Sequence, residues 1–173
     1  EVQELNAVSL TKVQAEADAT NQYPLPDLRT PVEISMNSTN PGTILDVMLG
    51  VRINHTWPAD LTMTLIHPDG TEVTLTDHNG NGSHRDGTEV WGEGSRSCNG
   101  DLAYFSQTAT QSIIDRSKPF TGFSRPVDNL NILEGKDAAG DWTLRIVDGW
   151  AQDDGELFCA QLLLATSNPD TTE

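Results

Sequence analysis

Basic residues are scarce in this chain. Its 173 residues carry 10 Lys and Arg against 26 Asp and Glu, a net charge of -16 at neutral pH. A field of that sign repels phosphate backbones and anionic lipid, which argues against nucleic acid and the membrane surface as partners. Long apolar runs are also missing: Leu162-Leu163-Leu164-Ala165 falls far short of a membrane span and reads as the end of a buried strand. No basic segment followed by an apolar stretch opens the chain, so a secretion signal is expected outside residues 1–173. Nor does a Gly-x-Ser-x-Gly element frame a nucleophile, and no catalytic residue is assigned. There is no His-Glu-x-x-His and no Cys-x-x-Cys, so the four histidines, of which only His78 and His84 share a loop, do not compose a zinc site. Cysteine is limited to Cys98 and Cys159. Two thiols alone do not distinguish a bridge from two buried free cysteines. Their surroundings, a Gly, Ser and Asn-rich loop and the last strand, favour a disulfide and with it an oxidising, secreted or extracellular setting.

Helical periodicity is lacking too, and what replaces it is a period of two. Val32, Ile34 and Met36 alternate with polar residues, as do Leu45, Val47, Leu49, Val51 and Ile53 with Asp46, Met48, Gly50 and Arg52. Leu61, Met63 and Leu65 lead into His67-Pro68-Asp69-Gly70, whose Asp-Gly pair reverses the chain into Val73 and Leu75. A second hairpin follows: Trp142, Leu144 and Ile146, an acidic turn from Asp148 to Gly155, then Phe158, Ala160, Leu162 and Leu164. Asp148, Asp153 and Asp154 are expected at an exposed tip, because crowded carboxylates repel unless solvent or a cation screens them. Many short strands with turn signals predict an all-β fold, an antiparallel sandwich or barrel. The length suits one domain at residues 23–166, between an N-terminal extension at 1–22, read as a linker or frayed helix, and a tail at 167–173.

Taken in order, these elements compose a longer pattern. Its first half is Pro24-Leu25-Pro26-Asp27, Ile44-Leu45-Asp46-Val47 with Val51, Ile53 and His55, then Asp60-Leu61, Leu65, Pro68-Asp69-Gly70-Thr71 and Leu75. Its second half is Pro119-Phe120-Thr121-Gly122, Arg125-Pro126, Leu130, Gly135, Ala139-Gly140-Asp141-Trp142-Thr143-Leu144, Asp148 and Asp154-Gly155-Glu156-Leu157. The set resembles the P domain of proprotein convertases over residues 23–166. The resemblance implies a jelly-roll β-sandwich that is not itself catalytic. It implies a partner as well, a subtilisin-like catalytic protease domain in the same chain, whose folding, stability and calcium dependence it would tune. Where relatives often carry an acidic cluster this chain reads Ser106-Gln107-Thr108, so the resemblance carries no metal site to that stretch.

Calcium is expected elsewhere. Asp77-His78-Asn79-Gly80-Asn81-Gly82-Ser83 places oxygen-bearing side chains at alternate positions and a glycine at the sixth, as the start of an EF-hand loop does. Asp77, Asn79 and Asn81, with Asp86 further on, are the candidate ligands; the twelfth-position glutamate is replaced by Thr88, with Glu89 next. A glycine-rich surface loop whose Asn and Asp shape turns is the alternative. His55, which closes a strand and precedes Asp60, is expected to pin the connecting turn by a hydrogen bond. Trp142 belongs to a strand and the core. Trp57, Trp91 and Trp150 fall in loops, where they either cap the sandwich or form a stacking platform, which leaves a protein or polysaccharide matrix as the alternative partner.

Overall fold

The computed structural model describes residues 8–26, 29–55, 57–78, 89–116, 119–150 and 155–168. Asn79, Asn81, Asp86, His84, Asp153 and Asp154 lie outside the described residues. Eleven strands follow in order: β1 Val8–Glu16, β2 Tyr23–Leu25, β3 Val32–Ser38, β4 Thr43–His55, β5 Leu61–Ile66, β6 Glu72–Asp77, β7 Glu89–Trp91, β8 Ala103–Ser106, β9 Gly122–Ser124, β10 Gly140–Asp148 and β11 Gly155–Ser167. Three short 3-10 turns are the only helical segments among the described residues. The larger sheet runs β1-β11-β4-β8-β9, with β2 also on β11 and β7 on β4; the smaller runs β3-β10-β5-β6. Every pairing of strands is antiparallel except β8 with β9. This is an all-β sandwich.

The alternation read from the sequence becomes the core. Ile34, Met36, Met63, Leu65, Trp142, Leu144 and Ile146 of the smaller sheet face Val47, Leu49, Val51, Ile53, Leu162 and Leu164 of the larger, all at most 2% exposed. Each such side chain contributes roughly 1.5–3 kcal/mol on transfer from water, which is why the two-residue period decides the fold. Trp142 also satisfies its indole N–H, donating to the Ala138 carbonyl at 3.0 Å.

Two bulges correct the expected stripes. The β4–β11 register slips between Ala165 and Thr166, so Ile44 is buried and Leu45, expected inside with Val47, stands 44% exposed. A second slip, between Leu157 and Cys159, buries Leu157 and leaves Phe158 half-exposed. One extra residue on one strand inverts the faces beyond it, which a strict alternation does not anticipate. Residues 8–16, read as linker or frayed helix, form β1 instead and pair with β11 from Val8↔Ser167 to Glu16↔Cys159. The reason it was invisible is that none of its side chains is fully buried; Ser9, Thr11, Val13 and Ala15 are only half-covered, so the apolar period is weak. Trp91, assigned to a loop, lies in β7 at 0% exposure and stacks on Phe120 at 4.3 Å between ring centres.

The Asp-Gly turn between β5 and β6 is bound to the start of β10. His67 Nδ1 accepts the Asp69 N–H at 3.0 Å, which leaves Nε2 to donate to the Asp137 carbonyl at 2.7 Å. Asp69 accepts from Lys136 Nζ at 2.7 Å and from the Thr71 N–H at 2.8 Å, and these partners, Lys136 first, hold its carboxyl well below the usual range. Gly140 sits at φ 125°, and a Cβ there would come within 2.8 Å of Pro68. The Pro68-Asp69-Gly70 and Gly140-Asp141-Trp142 elements are therefore spatial neighbours, each shaped to admit the other.

Candidate functional site

The other end of the sandwich, where β4 and β10 finish, holds the most buried polar pair. His55 and Asp148 meet at 2.7 Å, Nε2 to Oδ2, with both side chains at 0% exposure. Nδ1 of His55 accepts the Trp57 N–H at 2.9 Å, so the ring proton resides on Nε2 and is donated to the carboxylate. Asp148 Oδ1 accepts the Trp150 N–H at 3.2 Å. The expectation that His55 pins the turn after its strand is met. Asp148 is a correction, and so is the second hairpin: β10 and β11 belong to different sheets and do not pair, and Asp148, at the crossing between them, is 1% exposed, its buried carboxylate compensated by two donors. Both imidazole nitrogens are engaged in holding the chain, which leaves neither to act as a general base.

Next to that pair, Asp77 ends β6 and is exposed. Its Oδ1 accepts from the Thr62 hydroxyl at 3.2 Å and lies 3.5 Å from His78 Nε2. Among the described residues no three carboxylate, histidine or cysteine side chains gather as a metal site would require. A hollow of about 330 Å³ lies beside them, lined by Arg29, Thr62, His78, Val147, Gly149 and Trp150. Of the tryptophans assigned to loops, Trp150 is 63% exposed, Trp57 is half-buried and Trp91 is core. No three-ring platform forms.

Cys98 and Cys159 are joined by a disulfide. It ties the segment after β7 to the middle of β11, where Glu16 of β1 accepts the Cys98 N–H at 2.8 Å.

Residues 44–104, from the second residue of β4 into β8, match the family model of the proprotein convertase P-domain. Over that stretch the chain is similar to a P-domain. Among curated proteins none matches. Among solved structures, the sandwich is similar to the serine protease of Aeromonas sobria, as crystallised with the chaperone and as crystallised by itself. The first has 16% identity and a TM-score of 0.58 over 97% of this chain; the second has 16% identity and a TM-score of 0.56 over 95%. The chain spans 28% of the length of each of those structures.

The two outer faces of the sandwich differ in chemistry. On the smaller sheet the residues between the buried ones are Glu33, Ser35, Asn37, Thr143 and Arg145, and Arg145 pairs with Glu72 at 2.8 Å. That face resembles an ordinary solvated surface. On the larger sheet, one cross-strand row is Lys12, Leu163, Met48 and Ser106, and the next is Gln14, Gln161, Gly50, Tyr104 and Phe123. Phe123 is 53% exposed and stacks on Tyr104 at 5.3 Å. Tyr104 donates its hydroxyl to Gln161 Oε1 at 3.1 Å, and Gln161 passes an amide N–H to Gln14 Oε1 at 3.1 Å. Gly50 makes this possible, since a Cβ there would come within 2.6 Å of the tyrosine ring. Leu10, on the same outward side of β1, is 84% exposed. Sequence reasoning missed this face because Tyr104 and Phe123 lie on strands of four and three residues, too short to show a period.

Proposed function

We propose that this chain is a P-domain, the noncatalytic accessory domain of a secreted subtilisin-like protease, docking on the catalytic domain and stabilising its folded state. The observation that carries the reading is that nearly the whole chain corresponds in fold to 28% of a serine protease, in agreement with the P-domain match. A domain of this kind acts through a face. The outer side of the larger sheet, with Leu10, Met48, Leu163 and Phe123, suits that role better than the polar side of the smaller sheet. A tethered domain works at an effective concentration in the millimolar range, so micromolar intrinsic affinity amounts to about 4 kcal/mol of added stability for its partner. The disulfide fits an oxidising compartment.

The test is a Met48→Glu, Leu163→Glu variant in the protease-linked protein. The P-domain itself should keep its melting temperature, because both side chains point away from the core, while the catalytic domain loses thermal stability and autolyses faster. An unchanged catalytic domain, or equal loss from Glu33→Ala and Thr143→Ala on the opposite face, defeats this docking face. A protease domain that loses nothing when the P-domain is deleted defeats the accessory role itself.

Calcium belongs to this reading as a proposal for the loop that Asp77 opens. Bound at Asp77, Asn79, Asn81 and Asp86, the ion would screen part of the -16 charge and stabilise the folded chain by mass action. The melting temperature should rise by several degrees between chelator and millimolar calcium, and Asp77→Ala should abolish the rise. Coincident melting curves remove a strong folded-state site. The polysaccharide reading is supported less, because only Trp150 of the loop tryptophans is largely exposed.

A further inference from the structure

The aromatic end of the larger sheet borders a cavity that docking by apolar contact does not use. It has a volume of about 330 Å³ and is lined by Glu93, Asp101, Tyr104 and Phe123, with Thr121 and Gly122 at its edge. Glu93 and Asp101 form an antiparallel bridge, exchanging N–H···O bonds of 2.8 and 2.9 Å. Side chains of residues directly opposite in such a pair share one side, and like charges placed so repel. The buried Arg52 guanidinium beneath this bridge donates to the Trp91 and Gly94 carbonyls, and no ion pair to either carboxylate is formed among the described residues. The Tyr104 hydroxyl registers the arrangement: burial, then the Asp101 charge, pushes its pKa up.

The other wall is the Tyr104–Phe123 stack, whose ring planes are 19° from parallel, with Phe123 half in solvent. Gly122, at φ 67°, has nothing within 4 Å of where a Cβ would be, so the mouth beside the phenylalanine is open. Two neighbouring acidic residues and an exposed aromatic stack lining one cavity are complementary to a group that is cationic, planar and rich in donors. A guanidinium meets all three requirements, since its edge bonds carboxylates while its face lies on an aromatic ring. An ammonium supplies only a point charge.

We propose that this cavity is a binding site for an arginine side chain presented by a polypeptide partner. Its carboxylates select positive charge, and the Tyr104–Phe123 stack selects the planar guanidinium over lysine. The site does not depend on the partner being a protease. It would act equally on any exposed arginine segment reaching the rim of the larger sheet.

The experiment is a titration of the 173-residue chain with acetyl-Gly-Arg-Gly-amide, followed by amide chemical shifts. The expected result is saturable movement of the Gly100, Thr121 and Gly122 resonances. The citrulline peptide, equal in shape but uncharged, and the lysine peptide should each bind about tenfold more weakly. Asp101→Asn and Phe123→Ala should each weaken the arginine peptide about tenfold. Both are exposed positions, and retained resonance dispersion elsewhere will show that the fold is intact. Glu33→Gln on the opposite face should change nothing. Equal binding of arginine and citrulline, or of arginine and lysine, overturns the assignment. So does an Asp101→Asn variant that binds as well as the parent, which would leave only diffuse attraction to an acidic surface.

Discussion

Replacing both cysteines, Cys98→Ala with Cys159→Ala, is expected to lower stability by about 4 kcal/mol and the melting temperature by about 8–16 °C. The two residues are 61 apart in sequence, so the bridge removes a large share of the unfolded chain's freedom. Loop closure entropy grows only slowly with length, which keeps the estimate insensitive to the exact loop size. The native state adds local reasons for the tie. The segment from Gly92 to Asp101 buries little apolar surface of its own; besides the disulfide, the Glu93–Asp101 bridge, the Arg52 bond to the Gly94 carbonyl, the Gly92 N–H bond to the Phe120 carbonyl, the Glu16 bond to the Cys98 N–H and Arg96 over the Phe158 ring at 5.7 Å hold it. Thermal and urea unfolding of the variant beside the oxidised parent are the measurements. A loss below 1 kcal/mol would mean that the denatured chain is already constrained without the bridge.

His55→Ala should destabilise by about 3–5 kcal/mol, the cost of leaving a buried carboxylate without its partner. The Asp148 side chain is fully enclosed, and losing the imidazole removes its Oδ2 donor while the Trp57 N–H loses its acceptor. Asp148→Asn should cost less, because an amide retains an acceptor for the Trp150 N–H without the buried charge. The diagnostic comparison is the pair of replacements together. His55→Ala with Asp148→Ala leaves no orphaned charge, so its cost should be clearly less than the sum of the single alanine changes. Additive single costs in urea unfolding would show that the two groups are not energetically coupled. A His55→Ala loss below 1 kcal/mol would show that water already compensates Asp148.

How far the sequence reaches depends on how far apart the cooperating residues are. The hairpin from Leu61 to Leu75 and the stripe from Trp142 to Ile146 announce themselves because each decision is local: a period of two, an Asp-Gly turn, a proline. The P-domain resemblance extended that local reading to nearly the whole chain. The pairing of His55 with Asp148 spans 93 positions and left no trace in either neighbourhood. Leu45 and Phe158 were misplaced for a subtler reason, since a single inserted residue in the ladder shifts phase without altering composition. β1 escaped because an edge strand covered on only one side needs few apolar residues to be stable in a sheet. The aromatic cavity depends on a glycine at position 50, a tyrosine from β8 and a phenylalanine from β9, three residues whose meeting only the sheet order reveals.

The pairing of β1 with β11 has a mechanical consequence. Val8 opposes Ser167, so the two ends of the described chain leave the sandwich side by side at one extremity of the larger sheet. Tension applied through both would open the nine β1–β11 residue pairs one after another, as a zipper, instead of loading them all in parallel as a shear contact does. The strand should peel at low force until Glu16, beside the covalent tie at Cys159. Single-molecule pulling should resolve this as an early, separate extension before the sandwich gives way. One simultaneous rupture would contradict it. With β1 gone, the pull on Ser167 runs down β11 to Cys159, where the disulfide passes it to Cys98, so the fold is compliant first and stiff afterwards.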